Sequence, residues 1–393
     1  MSSGDGLIVR PRLAGGALTP ALARAIAGWA ENHGNGTIDL TSRANLQLRG
    51  VGEEDLPPLQ AALAAWNLLD EDPAAEAVRN VMASPLAGLD PRAHLDIRPL
   101  LRALDDRLKS DTGLHRLPGK FGFAIDDGGS LSLPVDAADI ALMARHRDEF
   151  AVHLGGEPAG SCAAADVEEC AVRLARSFLS LRQNSTRMAA LVAERGTGPL
   201  AAAAGLRPLA APFTPRARTP VTGFHDLGPL RALGVGVPFG HLDSAGLRLL
   251  ADEAEAASGE LRLTPWRAIL IAGPDLSTDA GERLAAAGFL LDDDAPLRAV
   301  AACPGAPACS SATTATRSDA LALSALVPPG GGIALHVSGC AKGCAHARPA
   351  RITLTGRDGL YDLVLDGRAD GVPARRGLSL AEIAHFLETK DRR

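Results

Sequence analysis

Aromatic side chains are scarce in this 393-residue chain: phenylalanine, tryptophan and tyrosine together make up 3% of it, with a single tyrosine. Its cores must therefore be built from alanine, leucine and valine. Cysteine is scarce too, at six residues, and a chain of this size buries core enough without a disulfide framework. Positive charge is not in excess: 40 Lys and Arg face 46 Asp and Glu, a net charge of -6. That balance excludes a surface built throughout for nucleic acid, so any anion site is local. No apolar run reaches the length of a membrane span, and the opening MSSGDGLIVRPRLAGG lacks the basic segment and apolar core of a secretory signal. The expectation is a cytoplasmic protein with no membrane contact. No G-x-G-x-x-G lies between a strand and a helix, so a built-in nicotinamide domain is not visible and electrons, if needed, come from a partner.

What is present is an internal repeat. ALTPALARAIAGWAENHG (17–34) overlays HLDSAGLRLLADEAEAASG (241–259), each with a capping residue, Thr19 or Asp243, ahead of apolar positions at helical spacing. A strand-like run follows in each copy, 38–50 and 261–273, and then a second helix, 54–69 and 275–291. Further on, VRNVMASPLAG (78–88) overlays LRAVAACPGAP (297–307), with Ser84 where the second copy has Cys303. Helices near 97–109 and 314–326 and strands at 120–126 and 333–339 continue the match. Four modules are expected, near 1–72, 73–205, 206–292 and 293–393, with the Pro- and Arg-rich stretch 206–220 as the joint between halves. A duplication of this kind invites a pseudo-two-fold assembly with a site between the copies.

Four of the six cysteines fall in two Gly- and Pro-rich segments, ACPGAPAC (302–309) and SGCAKGC (338–344). Small residues around thiolates leave room for an inorganic cluster and let backbone N–H groups approach the sulfurs. Cys303, Cys309, Cys340 and Cys344 thus read as ligands of a [4Fe-4S] cluster. Zinc is the competing metal, but structural zinc sites favour C-x2-C knuckles, and these pairs are C-x5-C and C-x3-C. Cys162 and Cys170 lack such surroundings and read as inert thiols.

In the first copy, where Ser84 replaces a cysteine, the notable residues are cations: Arg43, Arg49, Arg79, Arg116 and Lys120. Guanidinium forks pair with carboxylates and a lysine acts as a point charge, so several in one cleft would hold a polycarboxylate.

TSRANLQLRG (41–50), the RN of VRNV, LPGKFGF (117–123), ACPGAPAC and SGCAKGC occur in one order along the chain. Together they resemble the nitrite and sulfite reductase family, which carries sirohaem beside a [4Fe-4S] cluster. The resemblance implies an α+β fold: a duplicated pair of ferredoxin-like half-domains and nitrite/sulfite reductase-like α/β domains with pseudo-two-fold symmetry. It implies that Arg43, Arg79 and Lys120 face the tetrapyrrole, that Asn45, Arg49 and Arg116 join them in substrate binding, and that the four cysteines ligate the cluster, with Cys344 bridging to sirohaem where sirohaem is bound. One departure matters. The reductases usually carry LPRKFK or LPRKFN, and here Gly119 and Gly122 stand in place of the flanking cations. Six-electron reduction of a small anion needs strong anion capture, so the resemblance implies instead the branch that oxidises a tetrapyrrole. The implied reaction is hydroxylation of precorrin-3A at C20 by O2 with closure of a γ-lactone, using electrons from NADH or a reduced electron-transfer partner. An additional non-haem iron is a candidate for oxygen activation, with His336 and His346 as candidate ligands. A sirohaem-dependent nitrite or sulfite reductase is the alternative, and a protein that holds a tetrapyrrole or cluster without turnover is a third reading.

Overall fold

The computed structural model describes residues 2–70, 72–209, 211–214, 219–327 and 332–390. Part of the joint expected at 206–220 lies outside them. The described chain forms four five-stranded sheets. Two are antiparallel and related by the repeat. The first runs Ser2–Ser3, Gly6–Val9, Leu46–Val51, Thr37–Leu40, His241–Asp243; the second runs Gly223–Leu227, Leu230–Gly236, Ala268–Gly273, Glu260–Leu263, Ala17–Leu18. Each is closed by a strand from the other copy: Leu242 pairs with Ile38, and Leu18 with Leu261.

The expected capping holds in both copies. Helix Pro20–His33 begins where the Thr19 hydroxyl accepts from Leu22 N at 3.2 Å, and helix Ser244–Ala256 where Asp243 accepts from Gly246 N at 2.7 Å. The two helices pack on each other, and their buried faces, Ile26, Ala27 and Ala30 against Leu247, Leu250 and Ala254, join one core with both sheets. Arg24 pairs with Asp252 at 2.7 Å and Arg248 with Glu31, so each helix sends an arginine to the acidic residues of its counterpart.

Each strand-like run is in fact a hairpin, Thr37–Leu40 with Leu46–Val51 and Glu260–Leu263 with Ala268–Gly273. The breaks come from a threonine. The Thr41 hydroxyl accepts from Arg43 N and Asn45 N, and the Thr264 hydroxyl accepts from Trp266 N while donating to Ala268 O. Ala44 and Arg267 then turn the chain at φ +51° and +53°. The apolar alternation continues across these turns, which hides them in the sequence.

The other two sheets are mixed. Val81–Ala83, Phe123–Asp126 and Ile140–Ala144 run parallel in the first copy, as do Val300–Ala302, Leu335–Ser338 and Ala350–Arg357 in the second. Two antiparallel strands complete each. Helices Arg98–Ser110 and Val167–Leu181 cover the first of these sheets through Leu104, Leu108, Leu174 and Phe178, and Thr316–Leu323 with Leu380–Lys390 cover the second through Ala320, Leu323, Ile383 and Leu387. The carboxyl ends of the parallel strands in an α/β sheet are where loops gather to form sites. Here they carry Ser84 in one copy and Cys303 in the other. No described helix is long and apolar enough to cross a membrane.

Candidate functional site

Cys303 follows strand Val300–Ala302, and Cys340 follows its parallel neighbour Leu335–Ser338, so the sheet register brings the two segments side by side. Cys303 N donates to Val337 O at 3.3 Å, and Gly339 N donates to the Cys303 sulfur at 3.2 Å. The loop after Cys303 is tied down: Thr316 Oγ1 donates to Cys303 O, Ala306 N to Thr314 O at 2.8 Å, and Cys309 N to Gly305 O at 2.8 Å. Gly305 stands at φ +71°, and a Cβ there would lie 2.5 Å from Thr316 Oγ1; a Cβ on Gly339 would lie 2.5 Å from that of Ala312. Glycine is required at both.

The four thiols grade from buried to exposed, Cys303 buried, Cys309 and Cys340 half-buried, Cys344 exposed. Although Cys344 is exposed, partial desolvation of its sulfur, with the electrostatic effect of Cys303, Cys340 and Cys309, pushes its thiol pKa up, which Lys342 opposes. The four sulfurs thus lie within reach of one another. Yet among the described residues no three His, Cys, Asp or Glu side chains gather closely enough to share a single metal ion. Around one zinc at about 2.3 Å per thiolate, sulfurs would sit about 3.8 Å apart; a cubane holds its thiolates further apart. An all-thiol donor set, a backbone N–H on sulfur and a glycine-lined loop fit a [4Fe-4S] cluster better than zinc. His336 is fully buried with neither ring nitrogen partnered, and burial, aided by His346 at 5.8 Å between ring centroids, lowers its pKa to about 4. The pair gathers no third ligand among the described residues.

The matching strand ends of the first copy are filled with carboxylates. Ser84 Oγ donates to Asp126 at 3.0 Å and accepts from Asp127 N at 2.9 Å. Asp126 also accepts from Gly128 N, Ser132 Oγ and Leu133 N. Burial, then Asp126, raises the Asp127 carboxyl to about 7.

The cations divide into two groups. Arg43, in the Thr41–Asn45 turn, donates to Lys120 O at 2.7 Å and so meets the loop carrying the lysine. Asn80, the asparagine of the RN pair, braces that loop by donating to Gly119 O and Phe121 O. Burial lowers the Arg43 pKa, and the positive charges of Arg187, Arg10 and Arg12 lower it further, against the pull of Asp139. Arg10 is lowered by burial and by Arg12, and its Nε has no partner. Arg116 and Lys120 are exposed. A side chain at Gly119 would meet open space, so the fold would admit a cation there.

Three expected substrate-binding residues have partners within the protein. Asn45 is buried and closes its own turn, accepting from Leu46 N at 2.9 Å. Arg49 is 3% exposed and held by Asp5 at 2.9 Å and Asp39 at 3.2 Å. Arg79 is paired with Asp70 and Asp105, whose carboxylates outweigh the effect of burial and raise its pKa. None of the three is a free cation. Arg10 and Arg187 were missed. Arg10 and Arg12 stand two apart in IVRPR, a spacing that sets two cations on one side of an extended segment; Arg187 carries no local signal.

One loop connects the cations to the cysteines. Arg187 pairs with Asp139 at 3.0 Å, Asp139 also acts on Arg43, and Asp136 three residues earlier pairs with Arg348, four residues beyond Cys344. Residues 136–139 are thus held from one side by the cationic group and from the other by the cysteine loop.

Residues 1–66 and 227–278 match the nitrite/sulfite reductase ferredoxin-like half domain, and 74–207 the nitrite and sulphite reductase 4Fe-4S domain. The latter match falls on the copy with Ser84, while the four cysteines lie in the other. The chain is 31% identical over 386 residues to a precorrin-3B synthase of Sinorhizobium sp., covering 95% of this chain and 82% of that one. It is 29% identical to a ferredoxin–nitrite reductase of Synechococcus elongatus, covering 89% of this chain and 76% of that one. The NirA protein of Mycobacterium tuberculosis shares the fold, with a TM-score of 0.75 at 21% identity over 98% of this chain and 80% of that one.

Proposed function

Because this chain belongs to the nitrite and sulfite reductase family, we propose that it is an oxidoreductase that hydroxylates a carboxylate-rich tetrapyrrole, acting as a precorrin-3B synthase. The observation that carries this reading is the hydrogen bond by which Arg43 meets the backbone of Lys120, in a lysine loop whose flanking positions 119 and 122 are glycine. Such a site suits the carboxylates around a macrocycle and not the capture of a small anion.

On this reading Cys303, Cys309, Cys340 and Cys344 hold the [4Fe-4S] cluster, which when bound supplies single electrons. Arg10, Arg43 and Lys120 neutralise acetate and propionate groups, and Asn80 fixes the height of the lysine loop. Holding the ring A acetate against a guanidinium keeps it ionised and aimed at C1, as lactone closure needs. The balance is that of a monooxygenase. Precorrin-3A takes one atom of O2 as the C20 hydroxyl, the other leaves as water, and NADH or a reduced partner protein supplies two electrons and, with solvent, two protons.

The test is aerobic incubation of the purified protein with precorrin-3A, a reductant and isotopically labelled oxygen gas. One labelled atom in the lactone product is expected. Binding without label overturns the enzyme reading, and an intense Soret band from bound sirohaem, with nitrite or sulfite reduction, favours the reductase alternative.

A further inference from the structure

We infer that Arg49, with Ser3 and Gly4, is a positioning device for the cysteine loop: the first copy of the repeat clamps the backbone that presents Cys309. This rests on the reading of the four cysteines as cluster ligands.

The geometry is specific. Arg49 Nη2 donates to Ala308 O at 3.0 Å, and Ser3 Oγ donates to the same oxygen at 2.7 Å. Both lone pairs of the carbonyl that precedes Cys309 are thereby used, so the peptide plane joining Ala308 to Cys309 cannot turn without losing two hydrogen bonds. Arg49 itself is fixed: Nε and Nη2 take the two oxygens of Asp5 at 3.0 and 2.9 Å, Nη1 takes Asp39 at 3.2 Å, and Nη2 also reaches Ser3 Oγ at 3.1 Å. At 3% exposure it is shielded from solvent, so water does not substitute for these contacts. A lysine has one ammonium and cannot span Asp5, Asp39 and Ala308 at once.

Gly4 brings the amino-terminal segment into backbone contact with the loop. A Cβ there would lie 2.5 Å from Pro307 O, 2.8 Å from Ser310 N and 3.0 Å from the carbonyl carbon of Cys309. These are main-chain atoms, so any side chain at position 4 must push the Cys309 segment away. Cys309, on the longer C-x5-C span, thus has the backbone ahead of it held by a different part of the chain.

The test uses the full chain with its cluster reconstituted anaerobically. Iron and acid-labile sulfide are counted, bleaching by a ferrous chelator is timed, and the cluster reduction potential is titrated by electron paramagnetic resonance. Arg49→Lys and Gly4→Ala are each expected to bleach about tenfold faster than the parent, the scale of losing an outer partner of a metal ligand. Arg24→Gln, which removes an exposed ion pair between the two packed helices, is expected to bleach at the parent rate. Gly4→Ala leaves Arg49 and its carboxylates in place, so it decides the matter if Arg49→Lys does not fold. Parent-like bleaching and potential in folded Gly4→Ala overturn the clamp. A parent chain that takes up no iron and sulfide overturns the cluster reading, and the clamp falls with it.

Discussion

Asp39 of the first copy and Arg317 of the second form an ion pair at 2.7 Å across the junction of the two halves. Asp39 also accepts from His241 at 2.8 Å and faces Arg49. Burial alone would raise its pKa, but His241, Arg317 and Arg49 together hold the carboxyl below the usual carboxylate range. Asp39→Asn leaves buried cations uncompensated, and a loss of about 3–5 kcal/mol is expected in denaturant unfolding. The contribution of Asp39 is present above the ordinary carboxylate pKa and disappears as pH falls through its lowered folded value.

Each of Cys303→Ser, Cys309→Ser, Cys340→Ser and Cys344→Ser is expected to abolish stable retention of four iron and four sulfide per chain, counted chemically after reconstitution. Cys162→Ser and Cys170→Ser, whose side chains lie in the core of the first reductase-like sheet, are expected to retain the full complement.

Arg10→Ala and Arg43→Ala are each expected to weaken binding of a carboxylated macrocycle by about ten- to a hundredfold, the loss of a charge-assisted hydrogen bond worth about 1.5–3 kcal/mol. Uroporphyrin, followed by absorbance titration, serves as the probe. The affinity of the parent should fall as salt is raised, and less steeply in the variants. Arg79→Lys, paired at Asp70 and Asp105, should instead appear as lost thermal stability.

Asp127 has a folded pKa of about 7, raised above that of an unfolded aspartate. The native state therefore holds more protons between pH ~4 and ~7, and stability falls as pH rises through that window. Asp127→Asn is expected to flatten this slope and gain relative to the parent at pH 8, measured by urea unfolding at a series of pH values.

The repeat, both helix caps and the placing of Cys303 and Cys340 at the ends of neighbouring parallel strands were legible because each depends on residues close in sequence or on a register that repeats. The hairpin turns at Thr41 and Thr264 were not, since a hydroxyl closing a turn leaves the apolar alternation intact. The ion pairs of Arg49 and Arg79 were not legible for another reason. Their partners Asp5, Asp39, Asp70 and Asp105 are ordinary surface-type residues in the sequence, and only folding shows that these carboxylates are already spent on the two arginines. Conversely, Arg187 is fixed beside Arg43 by its pairing with Asp139, about fifty residues away along the chain.

The reciprocal loan of edge strands, His241–Asp243 to one antiparallel sheet and Ala17–Leu18 to the other, dictates an order of events at the ribosome. The earlier sheet lacks its fifth member until residue 243 has been synthesised, whereas the later one finds its missing edge already waiting. Splitting the gene between the duplicates would leave two fragments that each lack a closing edge, and complementation by co-expression would be the only way for either to become complete.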